Sequence, residues 1–375
     1  MNPVPRALID LGAIRHNLGL VRRHAPKSRI WAVIKADAYG HGMEAVASSL
    51  KGAEGFAVAR VAEGRRLRDH GVHKPILVLE GPIDATDLDA AQDAGLEIAL
   101  HQAWQVDLIE AAARRRTPPA VRVWLKLDTG MHRIGILPGQ LSPICARLRR
   151  LEPAVSIVGL MTHLANADDA DDPLTAGQCE TAAALARQLG LPLSIGNSAG
   201  ILGHPTARTD WVRPGIMLYG GSPLLGRDAA ALGLRPAMTL ISRLMAIQPR
   251  DPGDPIGYGG TYRCPESMPV GVVAVGYGDG YPRHAPTGTP VLIRGQRAPI
   301  VGRVSMDMIS VDLRGIPDAE VGDQVILWGR GLPVEDVAAN VGTINYELLC
   351  RISPRVAVEH LNGDADSPCH EHKAR

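Results

Sequence analysis

Aromatic side chains are scarce in this chain: they make up 3% of its 375 residues, with a single phenylalanine, Phe56. The core must therefore be built from Ala, Val, Leu and Ile, and the chain lacks the aromatic platform on which proteins stack nucleic-acid bases. The formal net charge is +1, so no overall basic field would attract nucleic acid or a membrane surface. We therefore expect a small-molecule ligand, and neither a nucleic-acid nor a membrane partner.

Paired cysteines and long apolar runs are also lacking. The five cysteines are scattered without CxxC spacing, which argues against a disulfide framework or a zinc site. No HExxH occurs, and the tail sequence Cys369-His370-Glu371-His372 is interpreted as adventitious, so we predict no metal site. Neither a signal peptide nor an apolar stretch of about 18 residues is found, which predicts a cytoplasmic protein without a transmembrane span.

Lysine is the rare basic residue, because most basic positions are arginine. It occurs only at positions 27, 35, 51, 74, 126 and 373. Lys35 closes a short apolar strand and precedes a glycine-rich turn, in the sequence AVIKADAYGHG. An amine can form a Schiff base with a carbonyl, which a guanidinium cannot usefully do. Lys35 therefore suggests an imine to a cofactor.

Eight short apolar runs alternate with longer segments of helical spacing between residue 30 and about residue 213. The runs are Ile30–Ile34, Gly55–Ala59, Pro75–Leu79, Leu96–Leu100, Val121–Leu127, Val155–Thr162, Pro192–Ile195 and Asp210–Arg213. Eight strand–helix units in one domain predict a closed (β/α)8 barrel of the TIM type. An open doubly wound sheet is the alternative, and the lack of GxGxxG after the first strand weighs against it.

The pattern changes after about residue 236, where Val, Ile and Met alternate with Gly, Pro and Asp. This alternation is typical of short strands joined by turns. We therefore predict an α/β fold with a barrel at residues 10–236 and a mostly β-strand domain at residues 237–375. The N-terminal residues 1–9 are expected to join the second domain through a strand at Arg6–Ile9, which makes the division discontinuous.

Polar side chains follow several of the predicted strands, where barrel enzymes carry their chemistry. They are Lys35, Tyr39, Lys126, Asp128, Arg133, His163, Asn197, Ser198 and Arg213. The loops after the last two strands, the usual phosphate site of a barrel, offer the Ser198 hydroxyl and the backbone amides near Gly215 and Ile216. Gly215 has no Cβ, so a phosphate can approach its backbone closely. A strand-end lysine that faces a phosphate site is the layout that pyridoxal phosphate (PLP) needs.

Nine segments of the chain resemble the alanine racemase family, whose members are fold-type III PLP enzymes. They are AVIKADAYGHG, LKLDTGMHRIG, MTHLAN, GNSAG, VRPGIMLYG, GYGGTY, VGYGDGY, GRVSMDM and INYELLC. They run in the family's order from about residue 5 to residue 360. AVIKADAYGHG is specific by itself, and the ordered set makes a chance resemblance very improbable.

The resemblance implies a racemase that interconverts L- and D-alanine with two bases and supplies D-alanine for peptidoglycan. Lys35 would hold PLP and act as one base, and Tyr258 of the partner subunit in a head-to-tail homodimer would be the other. Arg213 would contact the pyridine nitrogen, His163 would lie between Arg213 and Tyr258, and Arg133 would orient Tyr258 and the substrate carboxylate.

Further positions carry implied binding roles. Tyr39, Ser198, Gly215 and Ile216 would bind the phosphate, while Met306 and Tyr277 of the partner would line the substrate entry. Lys126 aligns with a lysine that is carbamylated in several members of the family. A carbamate there would bind Arg133, whereas an ammonium would be repelled by it.

The chain departs from the family pattern at three positions. Pro354 stands where some relatives carry a phosphate-binding tyrosine, so one phosphate contact is expected to be missing or replaced. Ser305 replaces a cysteine of some relatives, and His132 replaces a frequent glycine. None of these is one of the two expected bases.

Three other functions are alternatives to an alanine racemase. A racemase of the same family that acts on another small amino acid, such as serine, would have much the same sequence features. A non-enzymatic PLP carrier of the same barrel type would lack the second domain. A basic amino-acid decarboxylase of the same architecture would be expected to place a carboxylate, not Arg213, against the ring nitrogen.

Overall fold

The eight predicted apolar runs are the eight strands of a closed parallel barrel in the computed structural model, which describes residues 5–115 and 120–362. The barrel strands are β2 (Arg29–Val33), β3 (Gly55–Val58), β4 (Ile76–Val78), β5 (Glu97–Leu100), β6 (Val121–Lys126), β7 (Val155–Met161), β8 (Leu193–Ser194) and β9 (Trp211–Val212). Each strand pairs with the next, and β2 pairs with β9 to close the ring. The predicted fold class is confirmed.

Helices lie between most of the strands and cover the barrel. They are α1 (Leu11–His24), α2 (Met43–Ser49), α3 (Val61–Asp69), α4 (Ala85–Asp93), α5 (Ala103–Arg115), α6 (Leu141–Arg149), α7 (Leu174–Leu189) and α8 (Ser198–Gly203). Local chemistry sets several of their ends. The Asp84 carboxylate accepts the N–H of Asp87 at the start of α4, and Gly190 ends α7 in the left-handed conformation at φ 65°. Among the described residues, no helix has both the length and the apolar composition required to cross a membrane.

The second part of the described chain is rich in strands. Its strands are β10 (Met238–Arg250), β11 (Pro255–Ile256), β12 (Tyr262–Arg263), β13 (Met268–Val273), β14 (Pro290–Ile293), β15 (Gln296–Pro299), β16 (Ile309–Asp312), β17 (Gln324–Trp328) and β18 (Ala357–Leu361). The N-terminal strand β1 (Arg6–Asp10) joins this sheet, antiparallel to β10 and parallel to β18. Residues 1–4 and 363–375, and with them Cys369-His370-Glu371-His372, lie outside the described residues.

Two helices in this part were not predicted. They are α9 (Val334–Val341) and α10 (Asn345–Cys350). Helix α10 packs against the segment that follows Lys35, and a Cβ on Gly40 would lie 2.4 Å from the carbonyl oxygen of Leu349. Because Gly40 lacks that atom, the strand-rich domain reaches the mouth of the barrel and contributes side chains there.

Three of the five tryptophans pack together inside the barrel. Trp31 stacks on Trp211 with ring centroids 4.4 Å apart, and Trp124 meets Trp31 edge-on at 6.1 Å. Gly55 and Gly159 leave room for these rings, since added Cβ atoms would lie 2.2 and 2.4 Å from them. Three large rings therefore fill a barrel that is otherwise lined by aliphatic side chains.

Candidate active site

A cavity of about 670 Å³ opens at the carboxyl ends of the barrel strands. It brings together Lys35, Tyr39, Lys126, Arg133, His163, Asn197, Ser198, Arg213, Gly215 and Ile216. These residues follow five different strands of the barrel. The structure places them together at one mouth of the barrel, where the sequence predicts them.

The segment after Lys35 has an uncommon backbone. Ala36, Asp37, Ala38 and Tyr39 all adopt left-handed helical angles, with φ between 52° and 55°. Each L-residue in this conformation costs about 1–2 kcal/mol, and runs of such residues are rare. A strained backbone of this kind next to Lys35 indicates that surrounding contacts fix the turn. We call residues Lys35–Gly40 the left-handed turn.

Tyr39 is the last of the four left-handed helical residues and lies beneath the loop at Gly215. Its ring stacks on Tyr219 at 4.7 Å, and burial raises its pKa above the usual value for a phenol. A Cβ on Gly215 would lie 2.5 Å from the Tyr39 hydroxyl oxygen, so only glycine allows this approach. The phenol therefore stays protonated, and the backbone next to it is open to a ligand.

Ser198 faces the same corner of the cavity. Its hydroxyl oxygen accepts the N–H of Gly215 at 2.9 Å and the N–H of Met217 at 3.3 Å. A hydroxyl has two lone pairs and one hydrogen, so the hydrogen is the group that Ser198 has left to offer. Tyr39, Ser198 and the Gly215 loop thus form a small cradle of donors.

Tyr346 lines the cavity as well, although it is not among the site residues predicted from the sequence. It lies on α10 with its ring centroid 6.2 Å from that of Tyr39, and burial raises its pKa. Tyr346 is the tyrosine of INYELLC, one of the nine segments that resemble the family. That resemblance is the signal that could have identified it. Tyr346 therefore provides a phenol at this cavity, although Pro354 carries none.

Arg213 is buried, with 4% of its surface exposed, and its position is fixed by hydrogen bonds. Nη1 donates to the carbonyl and hydroxyl oxygens of Ser194 at 2.8 and 2.6 Å. Nη2 donates to the carbonyl oxygens of Thr162 and, at 3.2 Å, Ile195. These bonds use all four terminal N–H groups, so the Nε–H is the donor left for a ligand. Burial lowers the pKa of Arg213 to about 10, and the guanidinium stays charged at neutral pH.

Two further groups in the cavity are shifted toward their neutral forms. Burial, together with the charges of Arg213 and Lys126, holds the pKa of His163 well below its usual value. Burial, Arg213 and Arg133 lower the pKa of Lys126 to about 8. His163 is therefore a neutral imidazole at physiological pH, and part of the Lys126 population is a free amine.

The described lining has an excess of positive charge. Lys35, Lys126, Arg133 and Arg213 face one carboxylate, that of Glu80. Glu80 and the neighbouring His101 were not selected from the sequence. Such a lining stabilises a ligand that carries several negative charges.

The loop that carries Arg133 is shaped by Asp128. The Asp128 carboxylate accepts the N–H of Gly130 at 3.1 Å and the N–H of His132 at 3.0 Å. These bonds and the His132 ring lower the pKa of Asp128 despite its desolvation. His132 has φ 54°, which explains why a glycine suits this position in relatives.

Three predicted site residues are not in this cavity. Tyr258, Tyr277 and Met306 lie on loops of the strand-rich domain and are 67%, 39% and 51% exposed. Tyr277 and Met306 are neighbours, because Tyr277 N–H donates to Ser305 and Gly278 N–H donates to the Met306 carbonyl oxygen. The single chain therefore separates these residues from Lys35.

Comparisons with known proteins identify the family of this chain. Residues 9–223 match the family model "Alanine racemase, N-terminal domain", and residues 237–360 match "Alanine racemase, C-terminal domain". The alanine racemase of Halorhodospira halophila is 50% identical over 366 residues, which cover 97% of this chain and 100% of that protein. The alanine racemase of Nitrosococcus oceani is 52% identical over 352 residues, covering 94% and 98%. The crystal structure of the biosynthetic alanine racemase from Pseudomonas aeruginosa superposes with a TM-score of 0.91 at 44% identity, covering 96% and 100%. This chain belongs to the alanine racemase family.

Proposed function

We propose that this chain interconverts L-alanine and D-alanine with PLP, using Lys35 as one base and the partner subunit's Tyr258 as the other. One observation carries the proposal. The cavity around Lys35 has a cationic lining and a cradle of hydrogen-bond donors, while Tyr258 is 67% exposed on the other domain. A cytoplasmic head-to-tail homodimer that supplies D-alanine for peptidoglycan is part of the same proposal.

The residues at the cavity fit PLP. Tyr39, Ser198, Tyr346 and the Ile216 backbone N–H supply donors for a phosphate, and Gly215 leaves room beside them that a Cβ would fill. Lys35 supplies the amine that holds the cofactor's carbonyl carbon. When bound, PLP withdraws electrons from the substrate Cα and so makes its proton removable.

Arg213 limits the chemistry that the ring can support. Its four terminal N–H groups are engaged by barrel oxygens, which leaves the Nε–H for the ring nitrogen. A guanidinium only donates hydrogen bonds, so Arg213 would leave the ring nitrogen of a bound cofactor unprotonated. A weaker electron sink favours return of the proton over side reactions.

Lys35 and Tyr258 are proposed to serve opposite faces of the substrate Cα. Ionising an ordinary phenol at pH 7 costs about 4 kcal/mol, because its pKa is about 10. His163 is kept neutral by burial and by Arg213, so its ring can accept a hydrogen bond from that phenol and orient it. Arg133 is free to orient the substrate carboxylate, and the partner's Met306 and the partner's Tyr277 are proposed to line the entry.

The residues 237–375, with 1–9, are proposed to act as the unit that carries Tyr258 into the partner's site. The test mixes two inactive variants, Lys35→Ala and Tyr258→Phe. In a randomly mixed symmetric dimer, half of the molecules are heterodimers with one intact site each, so about a quarter of wild-type activity should return. No recovery on mixing would contradict a shared site.

The substrate is tested directly with purified protein. A panel of L- and D-amino acids, including serine, is incubated with and without PLP, and enantiomers are followed by chiral chromatography. We expect alanine to be racemised in both directions and PLP to be required. Lack of turnover of alanine in either direction would overturn the proposed function.

Lys126 is proposed to be carbamylated. With a pKa of about 8, roughly a tenth of its side chain is the neutral amine at pH 7, which is the form that reacts with CO₂. The amine nitrogen bonds to the carbon of CO₂ and releases a proton, which leaves an anion next to Arg133. Wild-type protein in ¹³C-bicarbonate should show a carbamate carbon signal that Lys126→Gln lacks; a plain ammonium in the wild type would contradict this.

A further inference from the structure

We propose that Glu63 is a positioning residue for Lys35, and that its carboxylate fixes the start of the left-handed turn. The inference rests on the proposed function, in which Lys35 holds the cofactor. Glu63 lies on α3, which follows β3, whereas Lys35 follows the neighbouring strand β2. The carboxylate therefore joins the ends of two barrel strands at the rim of the active site.

Three hydrogen bonds converge on the two oxygens of Glu63. Oε1 accepts the N–H of Ala36 at 2.7 Å. Oε2 accepts the N–H of Ala59 at 2.8 Å and the N–H of Arg60 at 3.1 Å. The bond to Arg60 is the ordinary capping contact of a glutamate in the first turn of a helix. The bond to Ala36 has no part in that cap, because it belongs to the residue directly after Lys35.

The bond to Ala36 acts where the backbone changes its hand. Ala36 is the first of the four left-handed residues, and its N–H belongs to the peptide unit that includes the Lys35 carbonyl. The orientation of this peptide sets the direction in which the Lys35 side chain leaves the backbone. A charged acceptor forms a stronger bond than a neutral one, so a carboxylate suits this role better than an amide.

A second contact from the same helix supports the turn. Arg66, three residues after Glu63, pairs with Asp37 at 3.1 Å and with Glu44 at 2.7 Å between Nη2 and Oε2. Asp37 also accepts the N–H of Met43 at 3.1 Å. Residues three apart share one face of a helix, so a single face of α3 holds the turn at both Ala36 and Asp37.

The turn separates the two groups that would grip the cofactor at its ends. Lys35 begins it and would hold the carbonyl carbon, while Tyr39 lies near its end and would contact the phosphate. Loosening the turn should therefore weaken cofactor retention and move the Lys35 amine relative to the substrate. Because small displacements of a reacting group cost up to about 100-fold in rate, kcat should fall more than KM rises.

Two substitutions separate position from charge. Glu63→Gln keeps the length and loses the charge, whereas Glu63→Asp keeps the charge and is too short to reach Ala36 while capping α3. Both should weaken PLP binding and lower kcat by about 10- to 100-fold, with KM changed less than about threefold. Only Glu63→Gln should also lower the pH midpoint of the bound cofactor's visible absorbance, since it removes a negative charge near Lys35.

The control is Glu180→Gln, on the exposed surface of α7, which should behave as wild type in all of these measurements. A Glu63→Asp enzyme with wild-type kcat and PLP affinity would overturn the positioning role. A wild-type holoenzyme that racemises alanine, with both Glu63 variants unaffected, would overturn this inference alone; a wild type without PLP or racemase activity would overturn the proposed function.

A measurement on the unmodified protein does not depend on whether the variants fold. Ala36 is exposed, so its amide hydrogen should exchange quickly with solvent unless Glu63 binds it. Amide exchange measured by NMR on the holoenzyme should show Ala36 to be protected at least about tenfold relative to an unbonded amide. Exchange at the unbonded rate would contradict the contact on which the inference rests.

Discussion

The barrel mouth and the exposed loops of the strand-rich domain hold the two halves of the proposed site in opposite ways. At the barrel mouth, Arg213 is 4% exposed and all four of its terminal N–H groups are bonded to barrel oxygens. On the loops, Tyr258 and Met306 are 67% and 51% exposed. The fold of one chain thus fixes the residues at the barrel mouth. The residues on the loops stay exposed on that chain and would pack against the partner subunit in the proposed dimer.

Two of the exposed segments pack closely against each other. A Cβ on Gly276 would lie 2.2 Å from the Met306 carbonyl oxygen, and Tyr277 N–H donates to Ser305 at 3.0 Å. The backbones that carry Tyr277 and Met306 are therefore held in contact. Contiguous exposed apolar side chains on a fixed surface are typical of an interaction site, which supports the proposed dimer.

The largest expected effect comes from the exposed half. Tyr258→Phe removes one hydroxyl and should lower racemase activity by about 10²–10⁴-fold, the usual range for a lost general acid–base group. Its unfolding midpoint should not change, because Tyr258 is 67% exposed and its hydroxyl forms no hydrogen bond with the described residues. Chiral chromatography and thermal unfolding measure the two quantities. A loss below about threefold would show that Tyr258 is not a base.

A matched substitution in the buried part of the same domain gives the control. Tyr281 is fully buried, stacks on Trp328, and its hydroxyl has no hydrogen-bond partner among the described residues. Tyr281→Phe should leave activity unchanged and keep or slightly raise stability, since it removes a buried polar group without a partner. Equal losses in both variants would mean that the effect of Tyr258→Phe is structural.

A substitution in the buried half of the site should lower both the stability of the protein and its activity. Arg213→Met keeps the length of the side chain and leaves the oxygens of Thr162, Ser194 and Ile195 without their donors. We expect the free energy of unfolding of the apoprotein to fall by about 2–4 kcal/mol, together with a loss of activity. Urea unfolding measures the first effect. An inactive Arg213→Met variant with wild-type stability would show that the buried half does not couple stability to activity.

The sequence predicted the barrel well, because continuous apolar runs and helical spacing report burial directly. All eight predicted strands match the observed strands to within one residue at each end. Lys35 was found through the rarity of lysine. The left-handed turn was not predicted, since Ala36–Tyr39 contains no glycine and its angles depend on contacts with Glu63 and α10. Tyr346 was missed because it reaches the cavity from the other domain.

Acid provides a test of the buried side. His41 is fully buried and its Nδ1 donates to the carbonyl oxygens of Ala38 and Tyr39. Burial, with a smaller contribution from His360, lowers its pKa to about 4, against 6.5 when unfolded. Between these values the unfolded chain binds the extra proton, so stability is full above pH 6.5 and is lost as the pH falls toward 4, by about 3 kcal/mol.

His41→Asn should flatten this dependence. The asparagine amide can still donate to the turn, but it does not titrate. His163 has a lowered pKa too and contributes in the same direction, so part of the acid sensitivity should remain. Apoprotein stability at several pH values, measured with urea, gives the comparison. A variant with the wild-type slope between pH 6.5 and 4 would contradict the assignment to His41.

The smallest effect is expected at His132, which lies at the barrel mouth but is exposed. Glycine would relieve the cost of φ 54°, about 1–2 kcal/mol, and would add about 0.5–1 kcal/mol of lost chain entropy. It would also lose the contact with Asp128 at 3.3 Å, a surface pair of little value because 77% of the imidazole is exposed. His132→Gly should therefore change stability by less than about 1 kcal/mol and leave activity unchanged. Asp128→Ala should have the larger effect, because the Asp128 carboxylate holds the N–H groups of both Gly130 and His132, and so holds the loop that carries Arg133. If His132→Gly lowers activity and Asp128→Ala does not, the side chain at position 132 shapes this loop.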